Sequence, residues 1–137
     1  MELEFFEKPG CKNNTKQKKW LEGAECRLEV HDLLAYPFAA DELAHFFRGR
    51  PRSDWFNQTA PRLKSGEFNP EGLSDTEVFE AMLKDRLLIK RPLIRRGQVR
   101  LVGWDAAQLA ALGINGLAEA EAEEMSACKE HKPCPQP

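Results

Sequence analysis

Nowhere in the 137 residues does an apolar run approach the roughly 20 residues needed to cross a bilayer. The N-terminus also lacks the basic-then-apolar plan of a signal peptide, so a cytoplasmic location is expected and membrane attachment is not. Neither sign of charge is in large excess: 20 basic against 22 acidic residues, a net charge of -2, excludes bulk attraction to nucleic acid or anionic lipid. Aromatic residues are not interleaved with the basic ones, which removes the usual sign of single-strand binding. There are only four cysteines, Cys11, Cys26, Cys128 and Cys134, irregularly spaced. A chain of this size does not need disulfide staples, and reduced thiols are the expectation. A partner cysteine three residues after Cys11 is missing as well: Asn14 stands there, which argues against a Cys-x-x-Cys disulfide shuttle.

What is present is ordinary for one globular domain, 42% apolar and 31% charged. The charge is nevertheless uneven, because residues 117 to 137 hold five acids against two lysines. From Gly113 onward the composition turns to Ala and Glu and then to Lys, His, Cys and Pro. We therefore divide the chain into a single domain over 1–113, with a helical insert at about 41–86, and a flexible acidic tail over 114–137 whose first half can be helical.

Leu3, Phe5 and Phe6 form a short apolar run that Lys8-Pro9-Gly10 stops, and a lysine-rich segment then runs to Gly23. That is a strand, a tight turn and a helix. Cys26 to Asp32 alternates Cys, Leu and Val against Arg, Glu and His, the pattern of a second strand with one face inward and Cys26 in the core. Strand, helix and strand make a βαβ unit, which implies parallel strands and a right-handed crossover. Asp41 is a candidate N-cap for a helix carrying Leu43, Phe46 and Phe47, and short helical turns are expected over Pro51 to Gly72. Ser74 and Glu77 have the spacing of a capping box, and Val78, Phe79, Met82 and Leu83 share one stripe, predicting a helix over 75–84. Pro92 should open a strand, with Arg95 to Gln98 a turn and Val99 to Val102 the returning strand. Asp105 caps a last helix that buries Leu109 and Leu112.

Cys11 falls where the first helix begins. Free N–H groups and aligned peptide dipoles place partial positive charge there, so its thiol is expected to ionise more readily than one on a neutral surface, with Lys8 and Lys12 acting in the same sense. The alternative is a small buried hydrophobe. Lys12, Asn13, Asn14 and Thr15 form a polar segment after the thiol and favour the reactive reading.

The order β, α, β, helical insert, β, β, α, with a thiol after the first strand and a proline starting the third, is the plan of a thioredoxin-like α/β fold around a mixed four-stranded sheet. The residues narrow it. Lys8 to Thr15, Asp54-Trp55-Phe56-Asn57, Ala60 to Glu67 and Leu88-Ile89-Lys90-Arg91-Pro92-Leu93 resemble the family of glutaredoxin-dependent arsenate reductases and the redox regulator Spx, and most closely its nitrogenase-associated branch. The likeness covers about residues 3 to 112. It implies a usually cis proline at Pro92 that brings the preceding residue beside the thiol.

In the family's reductases a cysteine matching Cys11 attacks the oxyanion, and three arginines hold the anion. Arg91 matches one, Asn57 stands at the second with Arg62 near enough to deputise, and Val102-Gly103-Trp104-Asp105 occupies the place of the third. Since a guanidinium fits an oxyanion through paired donors, arsenate reduction is expected to be weak or absent.

The resemblance thus implies a monothiol redox or thiol-transfer accessory protein associated with nitrogen fixation. Cys11 is its nucleophile, Arg91 its electrostatic partner, and Asn13, Asn14 and Thr15 polar contacts. The alternatives are an oxyanion reductase working with glutathione and glutaredoxin, and a non-enzymatic partner-binding protein. No cofactor is expected to be bound; glutathione is a candidate co-substrate, and glutaredoxin or a nitrogen-fixation protein a candidate partner. Cys128, His131 and Cys134 form Cys-x-x-His-x-x-Cys, which admits a metal site, a resolving thiol for Cys11 or an unstructured tail. His31 and His45 are read as surface residues, and Arg95, Arg96 and Arg100 as a solvated face or an anion-binding one.

Overall fold

The computed structural model describes residues 1–126; the Cys128, His131 and Cys134 motif lies outside the described residues. The chain opens with β1, Glu2–Glu7, followed by α1, Lys12–Gly23, and β2, Arg27–Asp32. The insert then contains α2, Ala40–Phe47, a 3-10 turn at Arg52–Asp54, α3, Pro61–Lys64, α4, Asp75–Lys84, and a second 3-10 turn at Arg86–Leu88. β3, Leu93–Arg96, and β4, Val99–Val102, form a hairpin, and α5, Ala106–Ala111, and α6, Glu119–Ser126, complete the described chain.

The sheet order is β2-β1-β3-β4, with β1 parallel to β2 and β3 antiparallel to both β1 and β4. This is the mixed four-stranded sheet and insert expected. Alternation along the two central strands builds the core on both faces. Phe6 and its partner Leu93 enter one layer with Phe38, Phe46, Phe47, Trp55, Phe79 and Met82. Phe5 and its partner Ile94 enter the other with Leu21, Cys26, Trp104 and Leu109.

Several local signals are realised. Ser74 Oγ accepts from the Glu77 amide at 3.2 Å while the Glu77 carboxylate accepts from the Ser74 amide at 3.0 Å, a full capping box. Asp105 caps α5 through the amides of Ala107 and Gln108. Pro92 directly precedes β3, and the Arg91–Pro92 peptide bond is cis.

Other readings are corrected. β2 is an edge strand, and the face that carries Cys26 and Leu28 is covered only at its start: Val30, on that same face, is 46% exposed. His31 is not a free surface residue, because its ring stacks on Phe6 with centroids 4.8 Å apart and meets Glu4 and Glu29 at 3.2 and 2.9 Å. The N-cap of α2 is Ala39, not Asp41, since the Leu43 amide already bonds the Ala39 carbonyl at 3.0 Å. Arg95 and Arg96 are strand residues and the hairpin turns on Gly97 and Gln98 alone. Arg95 is held against the sheet by two bonds to Glu4, at 2.6 and 2.8 Å, and lies over the Phe6 ring. In the segment assigned to the acidic tail, Ile114, Leu117 and Ala122 are buried and α6 packs on α1.

Candidate functional site

Cys11 occupies the N-cap position of α1, reached through Gly10 at φ +83°, a backbone conformation in which a side chain would be strained. Its amide donates to the Lys8 carbonyl at 3.0 Å, closing the turn that ends β1. Its carbonyl accepts from both the amide and the hydroxyl of Thr15 at 3.1 Å, which starts the helix. No acidic side chain sits in the first turn of α1 to compete for the positive end of the helix.

The sulfur is not on an open rim. Cys11 is only 2% exposed and lines a cleft of about 440 Å³ together with Asn13, Asn14, Gln17, Asn57, Arg91 and Trp104. Polar chain lacing builds the opposite wall. Phe56 bridges Ile89 in antiparallel fashion, the Asn57 amide bonds the Leu88 carbonyl at 2.9 Å, and the Lys90 amide bonds the Trp55 carbonyl at 3.1 Å. The loop before α3 and the approach to β3 are thereby zipped together, and Asn57, Lys90 and Arg91 face one cavity.

Of the residues expected at the site, Cys11, Asn13, Asn14, Asn57 and Arg91 are brought together. Asn14, however, is committed to the fold: its Oδ1 accepts from the Lys8 amide at 3.1 Å and its Nδ2 donates to Gln17 Oε1 at 2.8 Å. Gln17 Nε2 in turn donates to the Met125 carbonyl, so the cleft wall also anchors α6. Asn57 likewise organises its own loop through Leu87 and Thr59.

Lys8 is buried, 1% exposed. Burial holds its ammonium below the usual lysine range, the Arg91 guanidinium pushes in the same direction, and an ionised Cys11 opposes both. Arg91 and Cys11 therefore both act electrostatically on Lys8. Lys12 and Thr15 are exposed and do not line the cleft, and neither does Pro92. Arg62 does not deputise either: on α3 it meets Asp85 at 3.3 Å and Glu67 at 3.6 Å, outside the cleft.

Two cations not expected there line the cleft instead, Arg50 and Lys90. Arg50 is fixed by its backbone, which bonds the Phe47 carbonyl at 3.0 Å and accepts from the buried Trp55 indole at 3.1 Å, while its guanidinium donates to Gln108. Lys90 lies 3.8 Å from Asp54 and close against Gly103, where an added Cβ would come within 2.8 Å of the lysine Cε. The sequence did hint at Lys90, next to Arg91. Arg50, beyond α2, carried no signal that set it apart from the other arginines.

Cys26, the other described cysteine, is buried beneath Ala24, and burial raises its thiol above the ordinary range. Elsewhere, Glu4, Glu29 and His31 bring ligand atoms within 4.8 Å of one another, but Arg95 already holds both Glu4 oxygens. No helix of the described residues is long and apolar enough to cross a membrane.

Comparison with known proteins bears on the fold and the family. The chain is 46% identical over 107 residues to an uncharacterised 15.7 kDa protein in the draG 3' region of Rhodospirillum rubrum, covering 78% of this chain and 75% of that protein. Its fold is similar to that of an ArsC family related protein from Bacteroides fragilis, with TM-score 0.71 at 22% identity over 82% of this chain and 99% of that one. An arsenate reductase from Vibrio cholerae gives TM-score 0.67 at 20% identity, over 83% and 98%. With the family's sequence pattern matched from residue 9 to residue 112, the chain belongs to the ArsC family.

Proposed function

We propose that this protein is a monothiol redox or thiol-transfer protein in which Cys11 is the nucleophile and Arg91 its electrostatic partner. The observation that carries the reading is that these two residues, from opposite ends of the domain, line one cleft. The Cys11 thiolate attacks a sulfur of a partner disulfide, a new S–S bond forms, and the partner's other sulfur leaves as a thiolate. Asn14 stands where an intramolecular second thiol would resolve that adduct, and its amide is tied to Lys8 and Gln17. Resolution therefore falls to an outside thiol, for which glutathione or a glutaredoxin is suited. A cytoplasmic setting and a role beside nitrogen fixation are part of this proposal, supported by the resemblance to the nitrogenase-associated branch and by the draG neighbourhood of the relative from Rhodospirillum rubrum. Reaction with 2-hydroxyethyl disulfide, followed by peptide mapping, tests it. An adduct on Cys11 that disappears in Cys11→Ser is expected, and an adduct pattern unchanged by that substitution overturns it.

A second reading, oxyanion reduction with glutathione and glutaredoxin, is favoured by Arg50, which adds a second guanidinium to the cleft that Arg91 lines. Arsenate turnover that is lost in Cys11→Ser would establish it. Absence of turnover while Cys11 still forms disulfides would eliminate it.

A further inference from the structure

A second groove, of about 590 Å³, runs beside the cleft. His45 and Arg48 from the end of α2 line it together with Arg50, and Gln98 and Arg100 line it from the β3–β4 hairpin. Arg50 lines both cavities, so the groove borders the cleft that holds Cys11. Among the described residues no carboxylate pairs with Arg48, Arg50 or Arg100, whereas Arg52 pairs with one and Arg62 and Arg95 with two each. Neutral groups hold two of the three in place. Arg50 donates to Gln108, and Arg100 donates to the Gln98 carbonyl at 3.1 Å while lying 5.8 Å from the Phe46 ring centroid. The Arg100 Nε has no acceptor among the described residues. Three arginines that line one groove with no carboxylate in ion-pair range attract a carboxylate, which a guanidinium matches through paired donors.

We infer that this groove binds a carboxylate-rich peptide segment carrying the sulfur that Cys11 attacks, so that it selects acidic thiol partners; the inference rests on the monothiol reading above. A peptide is favoured over a nucleic acid because the occupant must deliver sulfur to Cys11. Moreover, the exposed large hydrophobic residues among those described, Met1, Val30 and Val99, offer no ring on which a base could stack.

The test uses two short peptides, each with one cysteine activated as a 2-thiopyridyl disulfide, one flanked by glutamates and the other by glutamines. The Cys11 thiolate attacks the peptide sulfur and forms a new S–S bond. The bond to 2-thiopyridine breaks, and that group leaves with the electron pair and takes up a proton as the absorbing 2-thiopyridone. At low ionic strength the acidic peptide is expected to react about tenfold faster or more, the lower end of electrostatic steering. The advantage should collapse in 1 M salt. Arg48→Glu, at an exposed position, should remove most of the advantage and leave the glutamine peptide's rate unchanged; Arg48→Glu with Arg100→Glu should remove the rest.

Equal rates for the two peptides, or an advantage that survives both variants, overturns the inference. If neither peptide labels Cys11, the monothiol reading fails. The groove is then judged by fluorescence anisotropy with the glutamate peptide carrying serine in place of cysteine. Charge-dependent binding lost in Arg48→Glu upholds the groove, and its absence overturns it. Tighter binding of a single-stranded oligonucleotide that displaces the peptide also overturns it.

Discussion

Asn14 donates from Nδ2 to Gln17 Oε1 at 2.8 Å, deep in the wall of the Cys11 cleft, where both side chains are 1% exposed. The position that holds a second thiol in a dithiol motif is here a structural pin. It ties the end of β1, through Lys8, to α1 and, through Gln17, to the Met125 carbonyl at the end of α6.

Replacing Asn14 by alanine leaves the buried Lys8 amide without its acceptor and Gln17 Oε1 without its donor. At about 1 to 3 kcal/mol for each unsatisfied group, a loss on the order of 3 kcal/mol is expected in urea unfolding. Gln17→Ala should destabilise less globally, yet raise hydrogen exchange selectively over α6, because it frees the Met125 carbonyl.

Lys8 makes stability depend on alkaline pH. Its folded-state pKa lies below the ordinary 10.5, so between the two values the unfolded chain binds more protons. Stability of the native protein relative to Lys8→Met should accordingly rise as pH increases through the folded value and level off above 10.5. Urea titrations across pH 7 to 11, an interval chosen to bracket ordinary lysine titration, measure this; a falling difference would contradict the assignment.

The Glu4–Arg95 pair gives a dependence of the same sign at the acid end of the pH scale. Arg95 lowers the Glu4 carboxyl below its usual 4.5, so its stabilisation is present above that value and is lost as pH falls through the folded one. Arg95→Ala should cost on the order of 2 kcal/mol at neutral pH, the value of a charge-assisted hydrogen bond, with the penalty shrinking in acid.

How much of this was legible in the sequence depends on how local the cause is. The Ser74 and Glu77 box, the Asp105 cap and the entry of Pro92 into β3 are set by neighbours within a few residues, and the residues announce them. β2 misled because alternation reports what a strand can bury, whereas its place at the sheet edge decides what is covered. Arg50 and Lys90 reached the cleft through the pairing of 55–57 with 88–90 and the Trp55 indole, contacts without a local signature. Arg62 looked near enough along the chain, but Asp85 and Glu67 hold it elsewhere.

Gly103 tests whether Lys90 belongs to the cleft by design of the backbone. At φ +79°, with Lys90 Cε 2.8 Å from the Cβ an alanine would add, Gly103→Ala should cost about 1 to 2 kcal/mol and displace the Lys90 side chain. Thermal unfolding reads the first effect. The second should appear as a changed rate of Cys11 reaction with an anionic disulfide at matched folded fraction.

In the proposed function Cys11 reacts under the influence of Arg91. The most direct measurement is the rate of Cys11 mixed-disulfide formation with an anionic aromatic disulfide, followed by mass mapping, in the native protein and in Arg91→Ala. The predicted result is an adduct on Cys11 and not on Cys26, slowed at least about tenfold by the substitution, equivalent to about 1.4 kcal/mol of lost charge interaction. A Cys11 rate indifferent to Arg91, or labelling that falls on Cys26 first, would contradict it.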